Sequence, residues 1–304
     1  MSANASLLSA VTDVGEATPT MASPSWWGAD TVRTRGTLDG KPVLVRRYTA
    51  AAAHYVNTET ALAAACSAGV AGIAPAVLAA DTTGPTMVVA DLTDTHRTAT
   101  LADVDTPGFI EALLRVRRSV AALRPTVVRE SSVFDDIREL SRAAGDAEAV
   151  VPEEFRFFQR TLDDAEKRIE KLDYAKQFCH GDANLSNVMV SRADGSLMLV
   201  DWDWAAMIDP LQDLGAVLVE LADHEDHARE LFQVARGGLD EAEFARAMIY
   251  GYADHVRQAL LGILVDALDP GTYEYSKYGD WQLLRARMAL STARCQELLR
   301  RIDQ

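Results

Sequence analysis

The segment FCHGDANLSNVMVSRADGSLMLVDWDW, Phe178 to Trp204, crowds one histidine, four aspartates and two asparagines around two short apolar runs. NVMVS and LMLVD flank the turn residues RADGS, which is the pattern of a β-hairpin. Centring the turn on Asp194 puts Asn187 and Asp201 at equal sequence distance on either side, so their side chains emerge at the same end of the hairpin. A purely structural hairpin has little use for acids gathered at one end. An amide oxygen and a carboxylate that converge are hard oxygen ligands and suit Mg2+. Asp182, in the short loop before the hairpin, adds an oxygen group that can orient or deprotonate an attacking hydroxyl.

Three segments surround and include this feature: a flexible tail over residues 1–20, a strand-rich lobe over 21–92 and a helical lobe over 93–304. In the strand-rich part, TVRTRGTL and KPVLVRRY are joined by Asp39-Gly40, a hairpin turn. An alanine-rich helix follows, then the strand PTMVVADL. After Thr93 long amphipathic helices take over. One of them carries Phe155, Phe158, Leu162, Ala165, Ile169 and Leu172 at helical spacing, which predicts a single buried face. The first twenty residues lack a basic start followed by a continuous apolar stretch, so they do not read as a secretory signal.

Composition excludes several classes. A net charge of −15 disfavours a nucleic-acid binder, which neutralises phosphates with Lys and Arg, and it tolerates a cationic small molecule. No apolar run is long enough to span a bilayer, so no membrane insertion is expected. Cys66, Cys179 and Cys295 are far apart and without ligand spacing, which suits a reducing cytoplasm rather than a disulfide framework or a zinc site. His224 to His227, HEDH, lack metalloprotease spacing and read as solvated surface.

The order Asp182, Asn187, hairpin, Asp201 is similar to the catalytic-loop and metal-binding pattern of protein kinases. HGDANLSN and LVDWD resemble the shorter version found in the aminoglycoside phosphotransferase and choline/ethanolamine kinase superfamily. DPLQDLG, VFDDIREL and YSKYGDWQLLR extend the resemblance across roughly Val32 to Arg287. The resemblance implies an α+β, protein-kinase-like two-lobed fold, with a small antiparallel-sheet N-lobe bearing one helix and a larger, mainly helical C-lobe. It implies a kinase that uses ATP and Mg2+ to phosphorylate the hydroxyl of a small molecule. Asp182 is then the catalytic base and Asn187 and Asp201 the metal ligands, with Asp203 assisting. His180 and Asp213 become supports of the loop. Arg46 in VLVR stands where kinases carry a phosphate-binding lysine, with Glu59 on the next helix as its ion-pair partner. Ala90 and Leu92, in the connector VVADL, offer backbone groups to adenine.

For the acceptor, the resemblance implies a cationic amino alcohol such as choline or ethanolamine. Trp204 offers an aromatic face and Glu220 a carboxylate, seven residues from Asp213 on the same helix face. Trp281 or Tyr278 completes the cage, because Leu261 and Leu264 stand where eukaryotic choline kinases have tryptophans. Two other readings stay open. One is an aminoglycoside or other antibiotic phosphotransferase. The other is a non-catalytic pseudokinase, since neither G-x-G-x-x-G nor G-x-x-x-x-G-K-[ST] occurs and Gly28 stands alone in WWGADTVRTRG.

Overall fold

The computed structural model describes residues 9–18 and 28–304. In chain order the elements are β1 (Thr31–Leu38), β2 (Lys41–Tyr48), α1 (Thr58–Val70), β3 (Val77–Asp81), β4 (Thr86–Ala90), β5 (His96–Thr98), α2 (Leu101–Val104) and α3 (Phe109–Ser119). They continue with α4 (Val133–Asp146), α5 (Phe155–Ile169), β6 (Gln177–Cys179), β7 (Val188–Ser191), β8 (Leu197–Leu199) and β9 (Ala206–Ile208). The last five are helices: α6 (Pro210–Leu221), α7 (Glu225–Arg236), α8 (Glu241–Leu268), α9 (Tyr275–Leu290) and α10 (Ala293–Arg301).

The elements sort into two compact units. The first holds the described residues up to Arg129 together with Leu185–Ala206; the second holds Glu130–Asn184 and Met207–Gln304. The division therefore does not fall at residue 92. The hairpin β7–β8 pairs back onto β5, with Arg97 opposite Val190 and Val190 opposite Leu197, and the Leu199 N–H donates to the Ile73 carbonyl at 2.8 Å.

In the first unit four antiparallel strands run in the order β1-β2-β4-β3. Asp39 and Gly40 close the β1–β2 turn at φ 50° and 73°, the left-handed conformations that a tight hairpin needs. Leu38, Val43, Ala79 and Val88 pack as a buried cluster on this sheet. The Asn57 side chain starts α1 by accepting the Thr60 N–H at 3.0 Å. Residues 12–18 run along β1: Thr12 and Thr37 exchange N–H···O bonds at 2.9 and 2.8 Å, and the Gly15 and Thr18 N–H groups donate to Arg35 and Arg33. Within the expected tail over 1–20, backbone groups of β1 thus engage residues 12–18. Residues 1–8 and 19–27, and with them the start of the expected N-lobe and most of its covering loop before Gly28, lie outside the described residues.

The second unit is built on α8, 28 residues and about 42 Å long. Apolar residues surround it almost completely, so it is buried on several sides, Leu261 and Leu264 included. Small residues fix its neighbours. A Cβ on Gly215 of α6 would come within 2.0 Å of the Ala247 carbonyl oxygen, and one on Gly262 would come within 2.6 Å of Gly279 on α9. Backbones thus touch at both crossings, and the polar residues Asp254, His255, Arg257 and Gln258 fall on the stretch of α8 between them. Among the described residues no helix is long and apolar enough to cross a membrane.

Candidate active site

The hairpin end in the first unit gathers charge. Val188 pairs with Leu199, so Asn187 lies opposite Val200, whose N–H donates to the Asn187 carbonyl at 2.9 Å, and Asp201 is one residue beyond. The register is one residue off the symmetric expectation because the turn is closed by Ser191 and Ser196 around Gly195 at φ 73°. Asn187 is buried in a 3-10 turn. Asp201 takes φ 67°, a left-handed conformation uncommon for a residue with a side chain and characteristic of functional sites. Its carboxylate pairs with Arg46 at 3.0 Å. Two residues along β2, on the same face, the Tyr48 hydroxyl donates to Asp203 at 2.5 Å.

Asp30, Asp201 and Asp203 form an acidic neighbourhood whose paired cation is Arg46. Burial, then the charges of Asp201 and Asp30, push the Asp203 carboxyl well above the usual carboxylate range, against the pull of Arg46 and the Tyr48 hydrogen bond. Burial works against the Arg46 charge, but Asp201, Tyr48 and Asp203 outweigh it and raise its pKa. The second oxygen of Asp203, Oδ2, is buried with no hydrogen-bond partner among the described residues. A buried, unsatisfied carboxylate oxygen beside a second carboxylate is the chemistry that a divalent cation fits. No three His, Cys, Asp or Glu groups converge as a complete ligand set among the described residues, so the fit rests on the carboxylates of Asp201 and Asp203.

In the second unit β6 leads into the loop that carries Asp182. Gly181 takes φ 79°, and from there its N–H donates to Asp213 on α6 at 2.8 Å while its carbonyl accepts from Arg257 on α8 at 2.9 Å. His180 is wholly buried, and its Nδ1–H donates to the Asp182 carbonyl at 2.9 Å. The Asp182 carboxylate accepts the Asn184 N–H at 2.9 Å. Arg257, almost wholly buried, is anchored by Asp254 at 2.5 Å and by Asp136 at 3.2 Å. Two helices, α6 and α8, and His180 within the loop therefore hold the backbone on which Asp182 sits.

Asp182 lines a cavity of this unit together with Glu220, Asp254, Gln258, Tyr278 and Arg285. The Tyr278 hydroxyl donates to Gln258 at 2.9 Å, and behind them the His255 Nδ1–H donates to Gln282 at 3.1 Å. Burial, then the carboxylates Asp182, Asp254 and Glu220, raise the Tyr278 phenol well above its ordinary pKa, so it stays a donor. Arg285 pairs with Glu220 at 3.5 Å and donates to the Val219 carbonyl. The cavity is narrow and open to solvent.

Residues 24–250 match the phosphotransferase enzyme family, APH. The chain belongs to the phosphotransferase enzyme family. No curated protein matches it significantly. Among solved structures, a choline/ethanolamine kinase family protein from Mesorhizobium loti superposes with TM-score 0.74 at 21% identity, covering 95% of this chain and 92% of that one. The choline kinase LicA from Streptococcus pneumoniae gives 0.73 at 16% identity, with 93% and 94% covered. The aminoglycoside phosphotransferase APH(4)-Ia, in ternary complex with ADP and hygromycin B, gives 0.56 at 13% identity, with 99% of both chains covered. The phosphotransferase has the protein-kinase-like fold that its sequence suggested.

Several side chains of the phosphotransferase stand elsewhere than expected. Glu59 is exposed on the first turn of α1, and Arg46 pairs with Asp201 instead. Trp204 is buried with the Arg129 guanidinium 5.7 Å above its ring, so a cation of the protein already covers that face. Trp281 is 41% exposed on the outside of α9, whereas Tyr278 lines the cavity. The Ala90 N–H donates to Ala76, and the Leu92 carbonyl accepts from Thr95 and His96, so those two groups are engaged within the chain. Arg47 is exposed, as strand alternation predicts.

Sequence reasoning missed Tyr48, Asp254, Arg257, Gln258 and Arg285. The signal for Tyr48 was its place two residues from Arg46 on one strand face. For Asp254 and Arg257 it was charge three residues apart inside an otherwise apolar helix, where a buried charge needs a partner.

Proposed function

We propose that this phosphotransferase transfers the γ-phosphoryl group of ATP, with Mg2+, to the hydroxyl of a small amino alcohol of the ethanolamine and choline type. The observation that carries this reading is the cavity in which Asp182 and Glu220 meet, walled by two helices, α8 and α9, whose backbones touch at Gly262 and Gly279. Touching backbones keep the cavity narrow, which suits an acceptor of few atoms better than a polycyclic antibiotic. The likeness to choline and ethanolamine kinases points the same way.

Asp182 accepts the proton of the acceptor hydroxyl, and its position is set by the Asp213, Arg257 and His180 bonds to its loop. Asn187 and Asp201, with Asp203, supply the oxygens for Mg2+, which on binding neutralises developing phosphate charge. Arg46 supplies a guanidinium for phosphate oxygens, pre-aligned by Asp201. Such catalysis is mostly alignment and charge neutralisation. The three free cysteines suit work in a reducing compartment such as the cytoplasm.

The test is ADP release from Mg·ATP by the purified protein with ethanolamine, choline and kanamycin side by side. Stimulation by either amino alcohol supports the reading. Stimulation by kanamycin alone transfers the protein to antibiotic phosphorylation. No Mg-dependent ATP binding makes it a pseudokinase.

A further inference from the structure

We propose that Arg285 is a specificity-determining residue that, by engaging Glu220 inside the acceptor cavity, turns the cavity against quaternary ammonium and toward acceptors whose amine carries N–H groups. The proposal rests on the reading of this cavity as the acceptor site.

A quaternary ammonium cannot donate a hydrogen bond. It is held only by counter-charge and aromatic faces. The cavity is poor in both. Among its lining residues only Tyr278 and His255 carry aromatic rings, and each is hydrogen-bonded to a glutamine, Gln258 and Gln282. The negative charge of Asp254 is shared with Arg257 at 2.5 Å. Glu220 faces Arg285 at 3.5 Å, and the guanidinium is tied back to the Val219 carbonyl on the same helix as Glu220. Arg285 is the cation among the lining residues. It therefore stands beside the carboxylate that a quaternary ammonium would need, and repels the ammonium as well.

A primary ammonium has other means. The carboxylates of Asp182 and Asp254, and the Gln258 and Gln282 oxygens already engaged by Tyr278 and His255, each keep a further lone pair that an N–H group can use and a quaternary ammonium cannot. The primary ammonium depends less on Glu220, so Arg285 penalises it less. Arg285 sits on α9, fixed against α8 at Gly279, so its Cα keeps its place, and the Val219 carbonyl and Glu220 hold its guanidinium.

The experiment measures kcat/KM for choline and ethanolamine in the wild type, Arg285→Gln, Arg285→Lys and Arg285→Gln/Glu220→Gln. The wild type is expected to favour ethanolamine. In Arg285→Gln the choline-to-ethanolamine ratio rises about tenfold, chiefly through a lower KM for choline. Arg285→Lys keeps the wild-type ratio, and adding Glu220→Gln cancels the rise. A merely structural arginine would lower both activities and leave the ratio alone. An unchanged ratio, or one moving toward ethanolamine, overturns the proposal. If turnover is too slow to measure, titration calorimetry with the two amines replaces it, and no gain in choline affinity in Arg285→Gln overturns it equally. Mg·ATP binding by the wild type is measured separately: its absence removes the kinase reading, whereas its presence with an unmoved ratio removes only the role of Arg285.

Discussion

Arg46 and Asp201 are ion-paired at 3.0 Å, a strand residue and a hairpin residue separated by more than half the chain, while Glu59 on α1 takes no part. The pair offsets part of an acidic neighbourhood that also holds Asp30 and Asp203.

Removing Arg46 leaves those carboxylates without their paired cation. Arg46→Ala is expected to cost about 2 kcal/mol of stability without metal, since breaking a partly buried pair strands its partner. Millimolar Mg2+ should recover part of that loss, so its stabilising effect is larger in the variant than in the wild type. Thermal melts with and without Mg2+ check this. An equal Mg2+ effect in both proteins counts against a cation site at Asp201 and Asp203.

Asp182→Asn is nearly isosteric and keeps an oxygen for the Asn184 N–H. It should fold normally and lose about 10²–10⁴ in kcat. Asp201→Ala should lose turnover together with Mg-dependent nucleotide binding. Full activity in either purified variant removes the assigned roles.

Gly262→Ala places a methyl group 2.6 Å from the Gly279 backbone. The helices must part, at about 1–3 kcal/mol. Because Tyr278, Gln282 and Arg285 ride on α9, the KM for the acceptor should rise while the KM for ATP stays put. An equal rise in both would show that the crossing does not shape the acceptor cavity.

His255 gives a pH signature. Burial, and then the charge of Arg285, push its pKa down to about 3 from an ordinary 6.5. The unfolded chain takes up this proton below about 6.5 and the folded chain only near 3, so the contribution of neutral His255 is whole above about 6.5 and fades as pH falls toward 3. His255→Asn keeps a donor for Gln282 without titrating. Its melting temperature should fall less than that of the wild type between about pH 7 and about pH 5. Parallel curves would mean that His255 does not govern acid stability.

What the sequence disclosed follows from how chemistry constrains residues. The hairpin and its acids were legible because metal and hydroxyl chemistry demands fixed residue types at short spacings. The register slipped by one because symmetry about Asp194 is a weaker guide than the backbone closure around Gly195. The partner of Arg46 was hidden, since a strand residue cannot announce which distant carboxylate the fold will bring to it. Trp204 and Trp281 misled for a related reason. An aromatic residue is attractive as a binding face, yet Arg129 occupies one ring and the turn of α9 carries the other outward. Arg285 and Gln258 needed the contact of two glycines far apart in sequence before they could be seen together.

The N-terminal residues have a consequence for the sheet they border. β1 is an outer strand of the order β1-β2-β4-β3, and an exposed row of N–H and C=O groups there would template pairing with another molecule. Thr12, Gly15 and Thr18 answer that row from within the same chain. The protein thus carries its own guard against edge-to-edge aggregation, and trimming those residues would trade it for stickiness between copies.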